Sequence, residues 1–154
     1  MRLSDIAVPL AAAGSLAMLL GAFAFQHLGG LAPCQMCIWQ RYPHVVAIVI
    51  GALWLMSRKV WLLPIGALAA ATTGGIGFYH AGVEQGWWAG PSTCSAGAIG
   101  DLTPEELMAQ IMSAPLVRCD EIPWEMFGLS MAGWNAVISF GLAGLWLVGL
   151  SRAR

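Results

Sequence analysis

The chain has 154 residues, 58% of them hydrophobic and only 10% charged, with a formal net charge of −1. Soluble domains carry about 25% charged residues, so this chain has too few to cover a water-facing surface. A near-neutral balance with no basic patch argues against nucleic acid as a partner. The length suits a single domain.

The apolar residues fall into four runs, each long enough for the roughly 20 residues that a membrane-crossing helix needs. The first predicted span covers about 6 to 28. Leu31-Ala32-Pro33-Cys34 behind it resembles a lipoprotein cleavage box, but Pro33 and the length of the run favour a retained helix over a cleaved signal. A short loop, about 29 to 37, carries Cys34-Gln35-Met36-Cys37 and leads into a second span of about 38 to 56. Ser57-Arg58-Lys59 forms a tight hairpin to a third span of about 60 to 80.

A long loop of about 81 to 127 follows; loops of that length in small proteins are usually functional. Trp87 and Trp88 read as headgroup-level anchors. Thr103-Pro104-Glu105-Glu106 has the form of a capping box with proline at the first helical position, and Leu102 with Leu107 the spacing of a hydrophobic staple. The helix so started should end before Pro115, with Leu107, Met108, Ile111 and Met112 as an apolar face suited to packing or headgroup contact. Pro123-Trp124-Glu125-Met126-Phe127 reads as an interfacial piece lying flat on the membrane and holding Cys119 near the surface. The fourth span covers about 128 to 150. Gly74, Gly75, Gly77, Gly141 and Gly144 are expected to permit close helix packing.

The expected fold is therefore an all-α membrane protein, a four-transmembrane-helix bundle forming one integral domain with one short and one long loop on the same face. Arg2, Arg58, Lys59, Arg152 and Arg154 fall on the opposite side, leaving Arg41 and Arg118 with the loops. The positive-inside rule then puts both termini in the cytoplasm and both loops outside. All four cysteines, Cys34, Cys37, Cys94 and Cys119, thus face a compartment where disulfides persist.

A structural zinc site prefers two tight pairs, and only one is present; a c-type haem needs histidine directly after CxxC, where this chain has Ile38. No metal site is expected. Cys94 and Cys119, taken alone, suit a structural staple as well as a redox pair. A bond between Cys34 and Cys37 closes too short a loop to add much chain-entropy stability, so that pair suits reversible exchange. If the second helix begins near Cys37, its N-terminus favours the reactive thiolate, and Arg41 at i+4 adds positive charge on the same face. Arg41 also suits a snorkelling role at the interface, and Pro43 marks either the true helix start or a kink. With no dinucleotide fingerprint, electrons released by a closing disulfide must pass to another protein or a small membrane-soluble acceptor. A lipid quinone fits a thiolate, a cation and apolar walls, with Arg41 stabilising charge on its oxygen.

The ordered set closely resembles the disulfide bond formation protein B (DsbB) family of bacterial inner-membrane oxidases. It comprises the four spans, Cys34 through Arg41 opening the second, Gly77-Phe78-Tyr79-His80-Ala81-Gly82 closing the third, the wide pair Cys94 and Cys119, Trp124, and Gly128-Leu129. The resemblance covers nearly the whole chain. It implies a four-helix bundle that reoxidises a soluble, thioredoxin-like (DsbA-like) periplasmic dithiol oxidase and reduces ubiquinone or menaquinone. It implies redox disulfides Cys34–Cys37 and Cys94–Cys119. Cys94 would form the mixed disulfide with the partner, with Cys119 as its mate. Cys34 would exchange with that second pair, and Cys37 would face the quinone. Arg41 would lie beside the ring, and His80 near it. His27 and His44 read as polar residues of the interface or bundle. Gln40 stands where some members carry an acid, so a carboxylate is absent there. The competing readings are a b-type haem carrier using two of His27, His44 and His80, and a structural membrane protein with ordinary disulfides.

Overall fold

The computed structural model describes residues 3–95, 103–113 and 117–153. Its elements are α1 (Ser4–His27), α2 (Gln35–Ser57), α3 (Leu62–Glu84), α4 (Pro104–Ser113), a two-stranded hairpin of β1 (Glu125–Met126) and β2 (Leu129–Ser130), and α5 (Met131–Ser151). Helices α1, α2, α3 and α5 are long and apolar enough to cross a membrane. They pack as a ring: α1 on α2 and α5, and α3 on α2 and α5. The expected all-α membrane bundle of four spanning helices is therefore what the chain forms.

The burial pattern is inverted relative to a soluble bundle. Leu10, Leu20, Val49, Leu68, Val137 and Leu147 point outward and are exposed, whereas Ser15, Gln40, His44, Thr73, Asn135 and Ser139 are buried between helices. Lipid solvates the first set as well as a protein core would, and the polar groups have partners only inside.

Toward the Arg58 end, Val8, Trp54, Leu63, Leu142 and Trp146 form the apolar core. Trp146 is fully buried because Gly66 leaves room for it: a Cβ on Gly66 would lie 2.6 Å from the indole ring. Gly51 against Ala12 and Gly14 against Leu142 are similarly close. Of the glycines expected at interfaces, Gly74 meets the Phe140 ring at 3.2 Å and Gly77 the backbone of α5 at 2.9 Å. Gly75, Gly141 and Gly144 face open space instead, because they lie on the outward side of their helices. An Arg58–Asp5 ion pair of 2.7 Å ties the α2–α3 hairpin to α1. The Arg58 backbone closes α2 in the left-handed region at φ 54°.

The ends of the helices differ from the sequence expectation. Helix α2 begins at Gln35 rather than near 38, because Cys34 is extended and serves as its N-cap. Helix α3 runs on to Glu84, and α5 starts at Met131, where the Ser130 hydroxyl accepts the Gly133 N–H at 3.1 Å. Helix α2 continues through Pro43 without a break. Proline there removes one backbone donor, a loss that a membrane helix tolerates when neighbouring helices surround it.

Beyond α3 the chain folds back on itself. Trp88 packs on Gly82, stacks on Tyr79 with an interplanar angle of 3°, and donates its indole N–H to the Tyr79 carbonyl at 2.8 Å. It is a clasp on the end of α3 more than a free headgroup anchor, while Trp87 remains exposed. The capping box forms as read: Thr103 N–H donates to the Glu106 carboxylate at 2.8 Å, and Glu106 N–H to the Thr103 hydroxyl at 3.3 Å. Those bonds hold the Glu106 carboxyl below the usual range. Leu107, Met108, Ile111 and Met112 are all exposed on α4. Leu102 of the staple, Asp101, Pro115, Arg2 and Arg154 lie outside the described residues.

The segment expected to lie flat before the last span is instead a hairpin, Glu125 pairing Ser130 and Met126 pairing Leu129. Its turn residues Phe127 and Gly128 both have positive φ, 54° and 77°. That geometry matches the twist of a two-residue turn, but Phe-Gly lacks the Asn-Gly or Asp-Gly signature that would have announced it. Trp134 of α5 donates its indole N–H to the Met126 carbonyl at 3.0 Å and fixes the hairpin over the bundle.

Gly66→Ala is expected to destabilise the bundle by about 1–3 kcal/mol through overpacking against Trp146. Gly75→Ala, with nothing near its added methyl, should be neutral or mildly stabilising. Thermal unfolding in detergent of the two variants beside the parent checks this; equal midpoints for both would contradict the packing assignment.

Candidate functional site

Cys34 follows Pro33 and caps α2 with φ −74° and ψ 171°, which turns its sulfur back over the first turn. There Sγ accepts the Cys37 N–H at 3.1 Å and lies 2.8 Å from Cys37 Sγ. The helix N-terminus thus points at Cys34, not at Cys37 as the sequence suggested, because α2 starts earlier. Cys34 is buried and Cys37 half-buried, and the two are not bonded to each other. The hydrogen bond from Cys34 to the Cys37 sulfur, with burial behind it, raises the Cys34 thiol above the ordinary range. The proton of the pair is therefore held on Cys34, and Cys37 receives its hydrogen bond.

Cys94 and Cys119 are joined by a disulfide, and the Cys119 N–H donates to the Cys94 carbonyl at 2.6 Å. Both are buried in one cluster with Cys34, Met36 and Val83, against which Cys37 and Val117 pack. The Thr93 hydroxyl bonds the Gln35 side chain at 2.5 Å, pinning the long loop to the CxxC turn. Four cysteines far apart in sequence thus share one site.

His80 reaches this cluster from α3, its Nε2 3.6 Å from Cys34 Sγ and 3.7 Å from the Glu84 carboxylate. A chain of amide bonds fixes which nitrogen carries its proton. Gln40 Nε2 donates to the Met36 carbonyl at 3.0 Å, which can only accept, so the same amide nitrogen donates to His80 Nδ1 at 2.9 Å. His80 is then a neutral Nε2–H tautomer; its N–H bonds the backbone of Cys119 and lies near the Cys34 sulfur and the Glu84 carboxylate. Gln40 Oε1 accepts from Asn135 Nδ2 at 2.8 Å, whose Oδ1 accepts from His44 at 2.9 Å and from Ser139 at 3.1 Å. The Thr73 hydroxyl donates to the Gln40 carbonyl at 2.9 Å.

Cys34 Sγ, Cys37 Sγ and a His80 nitrogen lie within 4.8 Å of one another, close enough in distance for one metal ion. The nitrogen nearest the sulfurs presents N–H rather than a lone pair, which does not suit a metal ligand.

Beside the cysteines lies a cavity of about 430 Å³, walled by Ala22, Phe25, Trp134 and Ile138 and closed at its polar end by Cys37, Arg41, His44, His80 and Glu84. Arg41 is held from α1: it donates to Gln26 Oε1 at 2.6 Å, and its guanidinium lies 4.9 Å from the centre of the Phe23 ring. Around this cavity the buried atoms Arg41 Nε, His44 Nδ1 and Glu84 Oε2 have no hydrogen-bond partner among the described residues. Unsatisfied groups converging on an apolar cavity are the mark of a ligand site. Trp124 and Met126 of the hairpin region also line it, Trp124 packing on Phe25 at 5.1 Å.

Of the residues named from the sequence, Cys34, Cys37, Arg41 and His80 come together here, and Cys94–Cys119 packs on the same cluster. His27 does not join them; it is exposed and stacked on Phe23. Glu84, Gln40 and Asn135 were not picked out as site residues. A carboxylate one helical turn beyond His80 on an apolar span, and an asparagine inside another span, are the signals that were there to be read.

A family model described as "Disulfide bond formation protein DsbB" matches residues 4–149. Among similar proteins, a disulfide bond formation protein B of Verminephrobacter eiseniae is 34% identical, covering 87% of this chain and 78% of the relative. Another, from Albidiferax ferrireducens, is 33% identical over 91% of this chain and 83% of its own length. No solved structure gives a significant match. A membrane bundle that gathers four cysteines at one end, matched by this family along almost its whole length, belongs to the disulfide bond formation protein B family and has that family's oxidoreductase role in disulfide formation.

Proposed function

We propose that the protein oxidises a periplasmic, thioredoxin-like dithiol oxidase and passes the electrons to a membrane quinone, ubiquinone or menaquinone. One observation carries the reading: a cysteine pair capping α2, in contact with a second cysteine pair on one side and an apolar cavity with unsatisfied polar atoms on the other. The cavity fits a flat ring with carbonyl oxygens, since the Arg41 Nε–H has no acceptor and the walls are apolar. When bound there, the quinone supplies a two-electron, two-proton acceptor.

In this reading a partner thiolate attacks Cys94, releasing Cys119, and the partner's second thiol then closes its own disulfide. With Cys34–Cys37 oxidised, a thiolate of the reduced loop pair attacks Cys34 and Cys37 leaves as the thiolate; the other loop thiol then displaces Cys34 and re-forms Cys94–Cys119. The Cys34 hydrogen bond to the Cys37 sulfur stabilises it as a leaving thiolate. Closure of Cys34–Cys37 returns two electrons, now toward the cavity. Because Cys94 and Cys119 are buried against Cys34, the loop must lift for the partner to reach Cys94 and settle back for the internal exchange. Arg41, anchored by Gln26 and Phe23, is placed to stabilise negative charge developing on a carbonyl oxygen. Arg58, Lys59 and Arg152 at the far end support an inner-membrane protein with cytoplasmic termini and with both cysteine loops in the periplasm.

Mixing a reduced periplasmic dithiol oxidase with the protein and a short-chain quinone tests the whole reading. The parent should convert quinone to quinol as the partner is oxidised, and Cys37→Ser should abolish the conversion while still engaging the partner at Cys94. Quinone turnover by Cys37→Ser at the parent rate would sink the assignment. Arg41→Gln should raise the apparent KM for quinone about tenfold or more, equivalent to about 1.4 kcal/mol; an unchanged KM would leave Arg41 as an anchor only. Cys119→Ser should accumulate a partner adduct on Cys94, seen as a reducible band on a gel. No adduct would place the partner contact elsewhere.

A further inference from the structure

Glu84 closes α3 with a side chain only 2% exposed, yet among the described residues no lysine or arginine is paired with it. Its Oε1 faces the His80 N–H at 3.7 Å, the Ser130 hydroxyl lies beside it, and its Oε2 has no hydrogen-bond partner. The carboxyl lines the same cavity as Cys37 and Arg41. A carboxyl buried at the polar end of an apolar span is costly to maintain and marks a functional group.

The reaction needs such a group. Closing the Cys34–Cys37 disulfide removes two electrons and two protons from the pair, and the quinone takes up two of each. The Cys34 proton must leave as its sulfur bonds to Cys37. His80 is the nearest titratable side chain, but Gln40 occupies its Nδ1 lone pair and its Nε2 already carries hydrogen, so it cannot act as the base. The groups facing Glu84 around the cavity are Cys37, Arg41 and His44 on α2 and His80 on its own helix, with Cys34 beyond His80; α1, the hairpin and α5 contribute no titratable side chain to its lining. Among these, only Glu84 is a carboxylate.

We propose that Glu84 is the proton carrier of the quinone half-reaction: it receives the proton released by Cys34 and delivers it to a quinone oxygen in the cavity. This inference rests on the quinone reading above. Cys34 Sγ and Glu84 Oε1 lie 3.6 Å and 3.7 Å from the same atom, His80 Nε2, so proton donor and acceptor are neighbours across one ring nitrogen. The carboxylate becomes a carboxylic acid, then a carboxylate again, so it ends each turnover unchanged. The second thiol proton is lost to the medium and the far quinone oxygen takes one from it, which completes the balance.

The experiment is single-turnover reduction of a short-chain quinone by the prereduced full-length protein in detergent, followed across the neutral pH range. Parent, Glu84→Gln and Glu84→Asp are compared. Glu84→Gln keeps the shape and the hydrogen bond with Ser130 but cannot carry a proton. It should slow quinol formation about 100-fold, the usual scale for one general acid–base group, and lose the pH dependence of the parent. Glu84→Asp should recover most of the rate and the pH profile. Parent-like rate and pH profile in Glu84→Gln would overturn the proposal while leaving the quinone reading intact. So would a slowed Glu84→Gln with the parent's pH profile, which indicates a packing role. A parent protein that forms no quinol would overturn the quinone reading itself, and this inference with it.

Discussion

The rest of the site depends on the hydrogen bond between Gln40 and His80. It joins α2 to α3 inside the bundle, where no water competes and an unpaired polar group costs several kcal/mol. It also removes the freedom of His80 to choose a tautomer. With Nδ1 committed to Gln40, the imidazole can only donate from Nε2, and that single N–H serves the backbone of Cys119 with the sulfur of Cys34 and the carboxylate of Glu84 close by. Asn135 extends the constraint to α5 through Gln40 Oε1, and the Thr73 hydroxyl ties the Gln40 carbonyl to α3. Three of the four spanning helices are thus held in one register by groups that also dictate the chemistry at the helix mouth.

The protein separates its two tasks along the bundle. The Arg58 end is apolar, with Trp146 seated against Gly66 and Leu63, and its role is packing. The cysteine end is polar inside and irregular outside, with the Trp88 clasp, the Thr93–Gln35 bond and the hairpin under Trp134 bringing loop segments onto the helix ends. The cavity is by contrast walled largely by spanning helices, with Trp124 and Met126 of the hairpin region completing it, and rigid walls suit precise placement of a ligand.

The two members of the CxxC pair are made unequal by the start of α2. The N-cap position belongs to Cys34, whose sulfur accepts the Cys37 N–H and keeps the shared proton, while Cys37 turns its sulfur toward the cavity. The two helical residues before Cys37, Gln35 and Met36, therefore decide which sulfur the helix N-terminus faces. A helix starting at Cys37 would have pointed its N-terminus at the other sulfur.

The sequence by itself determined the four spans, the polarity of their ends, the capping box before α4 and the presence of a redox cysteine pair, because hydropathy runs, charge placement and local motifs depend on neighbours in the chain. It also supplied Arg41, from its i+4 spacing to Cys37, and His80, through the resemblance of its surrounding residues to a known family. Tertiary structure alone decided the start of α2, the Phe127-Gly128 turn, and which glycines lie at interfaces, as Gly66 does and Gly75 does not. It also decided that Gln40, Asn135 and Glu84 belong to the site. The reason is physical: a tautomer, an unsatisfied carboxylate oxygen or a glycine's clearance is set by atoms from other helices, and spacing along one helix carries no record of them.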